Sequence, residues 1–149
     1  MKQKYIDLYM DWADRTAQLS HARRLQVGAV IVKDDSVISY GYNGMPAGWD
    51  NNCEDGVGHV LDEANNIVEI RLKTKPEVLH AESNAIAKLA KSTNSGLGAT
   101  MFITHAPCME CAKLIYQSGI GHVLYRNSYR DTGGIAFLEK SGVEITQVE

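Results

Sequence analysis

The sequence is short of the residues that mark several protein classes. It has only three cysteines in 149 residues, an odd number that argues against a disulfide framework. Three prolines and thirteen glycines are too few for a collagen-like or low-complexity chain. No run of about 18 apolar residues occurs, so no transmembrane helix is expected. The N-terminal segment carries acidic side chains and a tryptophan where a signal peptide needs an apolar core. These absences predict a protein of the reducing cytoplasm with no membrane partner.

A basic excess is also missing. The chain has 15 lysines and arginines against 18 aspartates and glutamates, for a net charge of −3. Because binders of polymeric nucleic acid are usually basic, this balance argues against such a partner. The acidity is concentrated in residues 50–79, which carry seven acidic and three basic side chains. With 44% hydrophobic residues at this length, we expect one globular domain spanning 1–149.

Strand and helix patterns alternate along the chain, which predicts an α/β fold with helices on both faces of one sheet. A long Gly-, Asn- and acid-rich stretch, about 45–79, interrupts this alternation and is expected to be a functional insertion, with a short helix at 59–71. Helical spacing occurs at 3–20, 81–92, 108–118 and 134–141, and strand patterns at 27–32, 37–42, 99–104, 122–125 and 143–147.

Two short motifs carry the chemistry. The first is His80-Ala81-Glu82, and the second is Cys108 and Cys111, spaced as Cys-x-x-Cys after Pro107. Two cysteines at this spacing can bind one metal ion, and a histidine adds a third ligand. Three protein ligands leave a fourth tetrahedral position open, which is typical of catalytic zinc. Because both motifs begin predicted helices, the positive end of the helix dipole favours thiolate over thiol. Glu82 could take a proton from water at such a site.

Other interpretations of these residues remain open. A Cys-x-x-Cys pair in a cytosolic protein can be a redox pair or half of a structural zinc site. A closed structural site would need a fourth ligand, for which Cys53, His59 and His105 are available. The combined pattern H-x-E…P-C-x-x-C is typical of zinc nucleobase deaminases.

Four stretches of the sequence resemble the deoxycytidylate (dCMP) deaminase family of the cytidine deaminase-like fold: QVGAVIV, GYNGMPAG, HAESNAI and PCMECAKLI. A fifth, HVLYRNSYRD, resembles it more loosely. The resemblance implies a three-layer α/β/α sandwich with a five-stranded mixed sheet. It implies one catalytic Zn²⁺ and hydrolysis of dCMP to dUMP and ammonia, which supplies dUMP for thymidylate synthesis. It further implies a homohexamer activated by dCTP and inhibited by dTTP, with Mg²⁺ accompanying the triphosphate.

The resemblance also implies roles for single residues. His80, Cys108 and Cys111 would bind zinc, and Glu82 would transfer protons while water adds to C4 of cytosine. The Ala81 backbone would bond the pyrimidine edge, and Asn43 the 3′-hydroxyl of the deoxyribose. The effector loop would comprise Asn43, Gly44, Met45, Pro46, Ala47 and Gly48. A tight turn explains the Asn, Gly and Pro residues of that loop equally well.

The monophosphate requires cationic or N–H donors. Arg24 and Arg130 are the expected contacts, chosen over Arg23 and Arg126, although a solvated surface position is the usual environment of an arginine. Family members often carry Asp-Pro-Ser or a similar run before QVGA, where this chain has Arg-Arg-Leu. Tyr125 and Tyr129 could offer hydroxyls or stacking to the substrate, although packing in the core is the more usual role for a residue such as Tyr125. Asn84 could face the substrate or bond a nearby loop.

Two rival functions remain. One is another zinc deaminase of the same fold, acting on a tRNA adenosine or a free base. The other is a binding module that zinc stabilises without catalysis. A second zinc held by Cys53 and His59 is also open.

Overall fold

The computed structural model describes all 149 residues. No helix in it is both long and apolar enough to cross a membrane. The helices are α1 (Gln3–Ala17), α2 (Ala81–Ala90), α3 (Met109–Gln117) and α4 (Gly133–Lys140). The strands are β1 (Gly28–Lys33), β2 (Ser36–Tyr42), β3 (Glu54–Leu61), β4 (Ile67–Thr74), β5 (Thr100–His105), β6 (His122–Asn127) and β7 (Glu144–Gln147).

Five of the strands form one mixed sheet in the order β2-β1-β5-β6-β7. Strand β1 is antiparallel to both β2 and β5, whereas β5, β6 and β7 run parallel. The predicted five-stranded mixed sheet is confirmed. Because β5 and β6 are parallel, their carboxyl ends meet at one edge, where His105 pairs with Asn127. Residues that follow these two strands are therefore brought together.

Side chains of the sheet alternate between two cores, one on each face. Along β1, Ala29 and Ile31 pack with α2, α3 and α4, whereas Val30 and Val32 pack against α1. The first core contains Met101, Ile103, Val123, Ala85, Ile115 and Leu138 among others, and the second contains Tyr9, Met10, Ala13, Phe102 and Leu124. This two-sided burial gives the three-layer α/β/α sandwich.

Two glycines let helices lie directly on the sheet. A Cβ on Gly28 would lie 2.1 Å from the backbone oxygen of Ala13 in α1. A Cβ on Gly41 would lie 2.3 Å from the backbone oxygen of Ala81 in α2. The first turn of α2 is thus pressed against the end of β2, which places His80 and Glu82 beside the sheet edge.

The predicted short helix at 59–71 is wrong, because this region is the antiparallel hairpin of β3 and β4. Its turn is set by Asp62, whose Oδ1 accepts hydrogen bonds from the backbone N–H groups of Ala64 and Asn66. Asn65 adopts the left-handed backbone with φ of 64°. An Asx turn of this kind and the β-branched residues on either side favour a hairpin over a helix. The hairpin forms a separate two-stranded sheet.

Candidate active site

The N-termini of α2 and α3 bring three potential metal ligands together. His80 precedes the first residue of α2, Cys108 precedes the first residue of α3, and Cys111 lies in the first turn of α3. The Nδ1 atom of His80 lies 3.2 Å from Sγ of Cys111 and 3.5 Å from Sγ of Cys108. Bond lengths in tetrahedral zinc sites require N–S separations of about 3.6 Å. The donor set and its spacing therefore fit zinc.

This cluster has three ligands, and the residues that could have closed it are not part of it. Cys53 is buried in a small apolar cluster with Ala22 and Val78. His59 is exposed on β3, and Nδ1 of His105 lies 2.9 Å from Thr104 Oγ1. Cys53 and His59 also belong to no second cluster of potential ligands. Three ligands would leave the fourth position of a tetrahedral ion open for water or substrate.

The pKa values of the two thiols in the cluster are shifted in opposite directions. A hydrogen bond from Cys111 lowers the pKa of the Cys108 thiol, and His80 lowers it further. The same bond, together with burial, raises the pKa of Cys111. The Cys108 sulfur is therefore the more readily ionised of the two. Cysteine binds zinc as the thiolate, so an easily ionised sulfur suits a ligand of this metal.

Glu82 lies in the first turn of α2 and its side chain is buried, with 5% exposure. Loss of hydration on burial raises its pKa to about 6. A carboxyl group with a pKa this close to neutrality can both accept and return a proton in one reaction cycle. Glu82 belongs to no cluster of metal ligands, so its carboxylate is available for this chemistry.

A cleft of about 480 Å³ is lined by His80, Cys108 and Glu82, whereas Cys111, the third potential ligand, is buried and does not line it. Its walls come from the loop before β1, the base of the hairpin, the start of α2 and the carboxyl ends of β5 and β6. Most of the residues predicted for substrate and metal line this cleft: Arg24, Asn43, His80, Ala81, Glu82, Cys108 and Arg130, with Tyr129 beside them.

Other predicted residues are not brought to the cleft. Tyr125 is 8% exposed and packs within β6. Asn84 donates its amide N–H to the backbone oxygen of Tyr42, so it ties α2 to the end of β2. The loop Gly44–Gly48 lies outside the lining, and Gly44 pairs with Leu79 through two backbone hydrogen bonds. Of the predicted effector residues, only Asn43 faces the cleft.

The four arginines considered for the phosphate are not equivalent. Arg23 bonds Asn52 and lies 3.5 Å from the Glu54 carboxylate, and Arg126 pairs with Asp11 and Asp14. Arg24 and Arg130 make no salt bridge and line the cleft. Arg24 donates to Thr74 Oγ1 at 3.2 Å. Two guanidinium groups are thus available to a bound anion.

Asn43 holds the loop before β1. Its Oδ1 accepts from the N–H of Val27 at 2.9 Å, and its Nδ2 donates to the oxygen of Leu25 at 2.8 Å. An Asn side chain has two donors and two lone pairs, so half of its hydrogen-bonding capacity is left for a ligand.

Sequence reasoning missed Glu54, which is 1% exposed and lines the cleft. Its Oε2 accepts the backbone N–H groups of Arg23 and Arg24, each at 2.8 Å. Proline at either position would lack the N–H, so these two bonds require residues other than proline at positions 23 and 24. No local pattern marks Glu54, because its partners lie about 30 residues earlier. Three further polar lining residues were also missed: Thr74, Asn127 and Ser128. His105, considered only as a possible metal ligand, lines the cleft as well.

Comparison with known proteins agrees with this geometry. The sequence model of the family described as the cytidine and deoxycytidylate deaminase zinc-binding region matches residues 3–127. Deoxycytidylate deaminase of Homo sapiens is 38% identical over 139 residues, which cover 87% of this chain and 72% of the relative. That of Enterobacteria phage T4 is 35% identical over 153 residues, which cover 83% and 79%.

A solved structure is similar over the whole chain. The dCMP deaminase of cyanophage S-TIM5, in complex with dCMP and dUMP, superposes with a TM-score of 0.86 at 41% identity, covering 99% of each chain. The fold and the His/Cys/Cys cluster define a zinc-binding α/β protein of the deaminase type. The chain belongs to the cytidine and deoxycytidylate deaminase family.

Proposed function

We propose that this protein hydrolyses dCMP to dUMP and ammonia. The observation that carries the proposal is the three-ligand cluster beside buried Glu82, at the wall of a cleft large enough for a mononucleotide. The similarity to a dCMP deaminase solved with dCMP and dUMP supports the same substrate.

His80, Cys108 and Cys111 would hold the zinc ion, which supplies a bound water of lowered pKa. Glu82 takes a proton from the attacking water as it adds to C4 of the base. The same carboxyl delivers this proton to N3. It then takes the proton of the new hydroxyl group at C4 and passes it to the amino group, which leaves as ammonia while the C4 carbonyl forms. A pKa raised to about 6 suits both directions of transfer.

The substrate's polar groups have matching partners in the cleft. The Ala81 backbone is proposed to bond the pyrimidine edge, and the free capacity of Asn43 the 3′-hydroxyl. Arg24 and Arg130 are proposed to bind the 5′-phosphate, because they are the lining arginines without a carboxylate partner.

The decisive test is Glu82→Gln, assayed for ammonia release from dCMP, cytidine and tRNA. We expect wild-type activity on dCMP and a loss of about 10²- to 10⁴-fold or more in the variant, with one zinc per chain in both proteins. A variant that turns over dCMP at the wild-type rate contradicts the assigned role. Wild-type activity on tRNA or cytidine instead of dCMP identifies another deaminase, and zinc binding without turnover indicates a non-catalytic module.

Regulation and assembly are further parts of the proposal. We infer a single-domain protein of the reducing cytoplasm that supplies dUMP for thymidylate synthesis; its three free cysteines support this location. dCTP with Mg²⁺ activates it and dTTP inhibits it, which predicts a sigmoidal dCMP curve that dCTP makes hyperbolic. Curves that neither triphosphate moves contradict regulation.

The proposed assembly is a homohexamer. Exposed apolar side chains of the hairpin support an interface there: Val57, Leu61, Ile67, Val68 and Ile70. Light scattering of wild type and Ile70→Asp tests it, with a hexamer mass expected for wild type and a smaller mass for the variant. A monomeric wild type contradicts the assembly.

A further inference from the structure

His105 is a cleft residue that the proposed mechanism does not use. It ends β5, is half-buried and lines the cleft, but it is not part of the ligand cluster. Its Nδ1 lies 2.9 Å from Thr104 Oγ1, and its Nε2 makes no hydrogen bond within the protein. The ring therefore has one nitrogen held by the fold and one left for a ligand.

The contacts of Thr104 decide which ring nitrogen carries the proton. Thr104 is 2% exposed, and its Oγ1 accepts the backbone N–H of Gly28 at 3.1 Å. The hydroxyl proton then has one acceptor within reach, Nδ1 of His105. If Nδ1 were protonated, this buried hydroxyl proton would have no partner, which is unfavourable. Burial also lowers the pKa of His105, which keeps the ring neutral. The expected form is neutral with the proton on Nε2.

The surroundings of His105 suit an anion. His105 pairs in register with Asn127, and Ser128, Tyr129 and Arg130 follow along the same edge of the cleft. This edge offers amide, hydroxyl and guanidinium donors and no carboxylate. The two carboxylates that line the cleft, Glu54 and Glu82, come from β3 and α2. The anionic group of a mononucleotide is its phosphate, so the phosphate is the group that this edge of the cleft suits.

We propose that His105 is a substrate-binding residue oriented by Thr104, and that its Nε2–H donates a hydrogen bond to the 5′-phosphate of the bound nucleotide beside Arg130. That the bound anion is the 5′-phosphate of a nucleotide rests on the proposed function, whereas the orientation and tautomer of the His105 ring do not.

The first experiment reads the tautomer directly. Long-range proton–nitrogen NMR spectra of the zinc-loaded protein distinguish the two ring nitrogens of each of its five histidines. We expect a protonated Nε2 and an unprotonated Nδ1 for His105 in wild type and in Thr104→Ser, and a mixture of tautomers in Thr104→Val. A protonated Nδ1 in the wild type overturns the proposal, and this result does not depend on whether Thr104→Val folds.

The second experiment uses the product dUMP as probe. Calorimetry should show dUMP binding about tenfold weaker in His105→Leu, as expected for a lost bond to a charged group. His105→Gln, which keeps an N–H near the position of Nε2, should lose clearly less. The phosphorus resonance of bound dUMP should move in His105→Leu.

The outcomes separate this inference from the proposed function. Weaker binding with an unchanged phosphorus resonance, or equal losses in both variants, overturns the phosphate contact. A wild type that binds dUMP with these properties but does not deaminate dCMP contradicts the proposed function and leaves this contact supported.

Discussion

The five-stranded sheet and the β3–β4 hairpin are both built from paired strands, but their surroundings differ. In β1, five of six residues are buried, and helices cover both faces. In the hairpin, only Glu54 is buried, and no helix packs on either face. The hairpin is tied to the rest of the protein at its base, where Lys75 N–H bonds Cys53 and the Glu54 carboxylate bonds Arg23 and Arg24.

This difference separates two tasks. The sheet and its helices set the positions of the ligand cluster and Glu82. The base of the hairpin contributes Cys53, Glu54 and Thr74 to the cleft wall. The tip of the hairpin is exposed and remote from these contacts. We therefore expect substitutions to matter in the sheet, to matter less at the hairpin base, and to have little effect at the tip.

The largest effect is expected for Gly28→Ala in the sheet, compared with Gly56→Ala in the hairpin. In Gly28→Ala the new methyl group would lie 2.1 Å from a backbone oxygen of α1, so helix and sheet must separate. We expect a loss of at least about 3 kcal/mol in the free energy of unfolding, at the upper end for overpacked cores. In the hairpin, the methyl group of Gly56→Ala would meet only a side-chain carbon at 3.7 Å. Urea unfolding of both variants measures the contrast, and similar losses would contradict it.

Zinc removal should destabilise the first turns of α2 and α3 and leave the hairpin unaffected. The ion would join the first turns of α2 and α3, so a chelator should speed hydrogen exchange there. Loss of the ion removes about 2.7 kcal/mol of stability when free zinc had been 100-fold above its Kd. Exchange in β3 and β4 should stay as it was. Equal acceleration in the hairpin would show that the two regions are coupled through the metal site.

Glu54→Gln probes the junction between the regions. The neutral amide weakens two charge-assisted hydrogen bonds to Arg23 and Arg24, which should cost about 1–3 kcal/mol of stability. Because the same loop carries Arg24, we expect KM for dCMP to rise with a smaller change in kcat. Asp55→Asn, an exposed neighbour, serves as the matched control. An unchanged KM in Glu54→Gln would show that the position of Arg24 does not depend on its backbone hydrogen bond to Glu54.

The smallest effect is expected at the hairpin tip. Glu63 is exposed in the turn between β3 and β4, and Glu63→Gln keeps the length of the side chain. The free energy of unfolding should change by no more than about 0.5 kcal/mol, and dCMP turnover should be unaffected. A larger loss of stability measured in urea would contradict the independence of the turn from the sheet.

Much of this architecture was predictable from local patterns. Apolar periodicity located the four helices and the five strands of the main sheet, because burial against a neighbour imposes that periodicity. The hairpin was missed because its strands are exposed on both faces and lack a buried stripe. Its turn residues Asp62, Asn65 and Asn66 were the available signal.

The active site likewise contains some residues that sequence spacing predicts and others whose roles depend on the fold. Spacing within His80-Ala81-Glu82 and Cys108-x-x-Cys111 marked residues that share a helix terminus, since neighbours in sequence are neighbours in space there. The same spacing could not reveal Glu54 or His105, whose roles depend on partners from other elements. Among similar residues, Arg24 and Arg130 face the cleft while Arg126 is paired with Asp11 and Asp14, and only packing decides this.

The sequence by itself determined the order of helices and strands, the three candidate ligands and the acid beside them. Each of these follows from side-chain chemistry within a few residues. The tertiary structure decided that the ligands converge without a fourth, that burial raises the pKa of Glu82, and that a buried carboxylate holds the loop of Arg24. These properties arise from contacts between segments far apart in the chain, which no local pattern encodes.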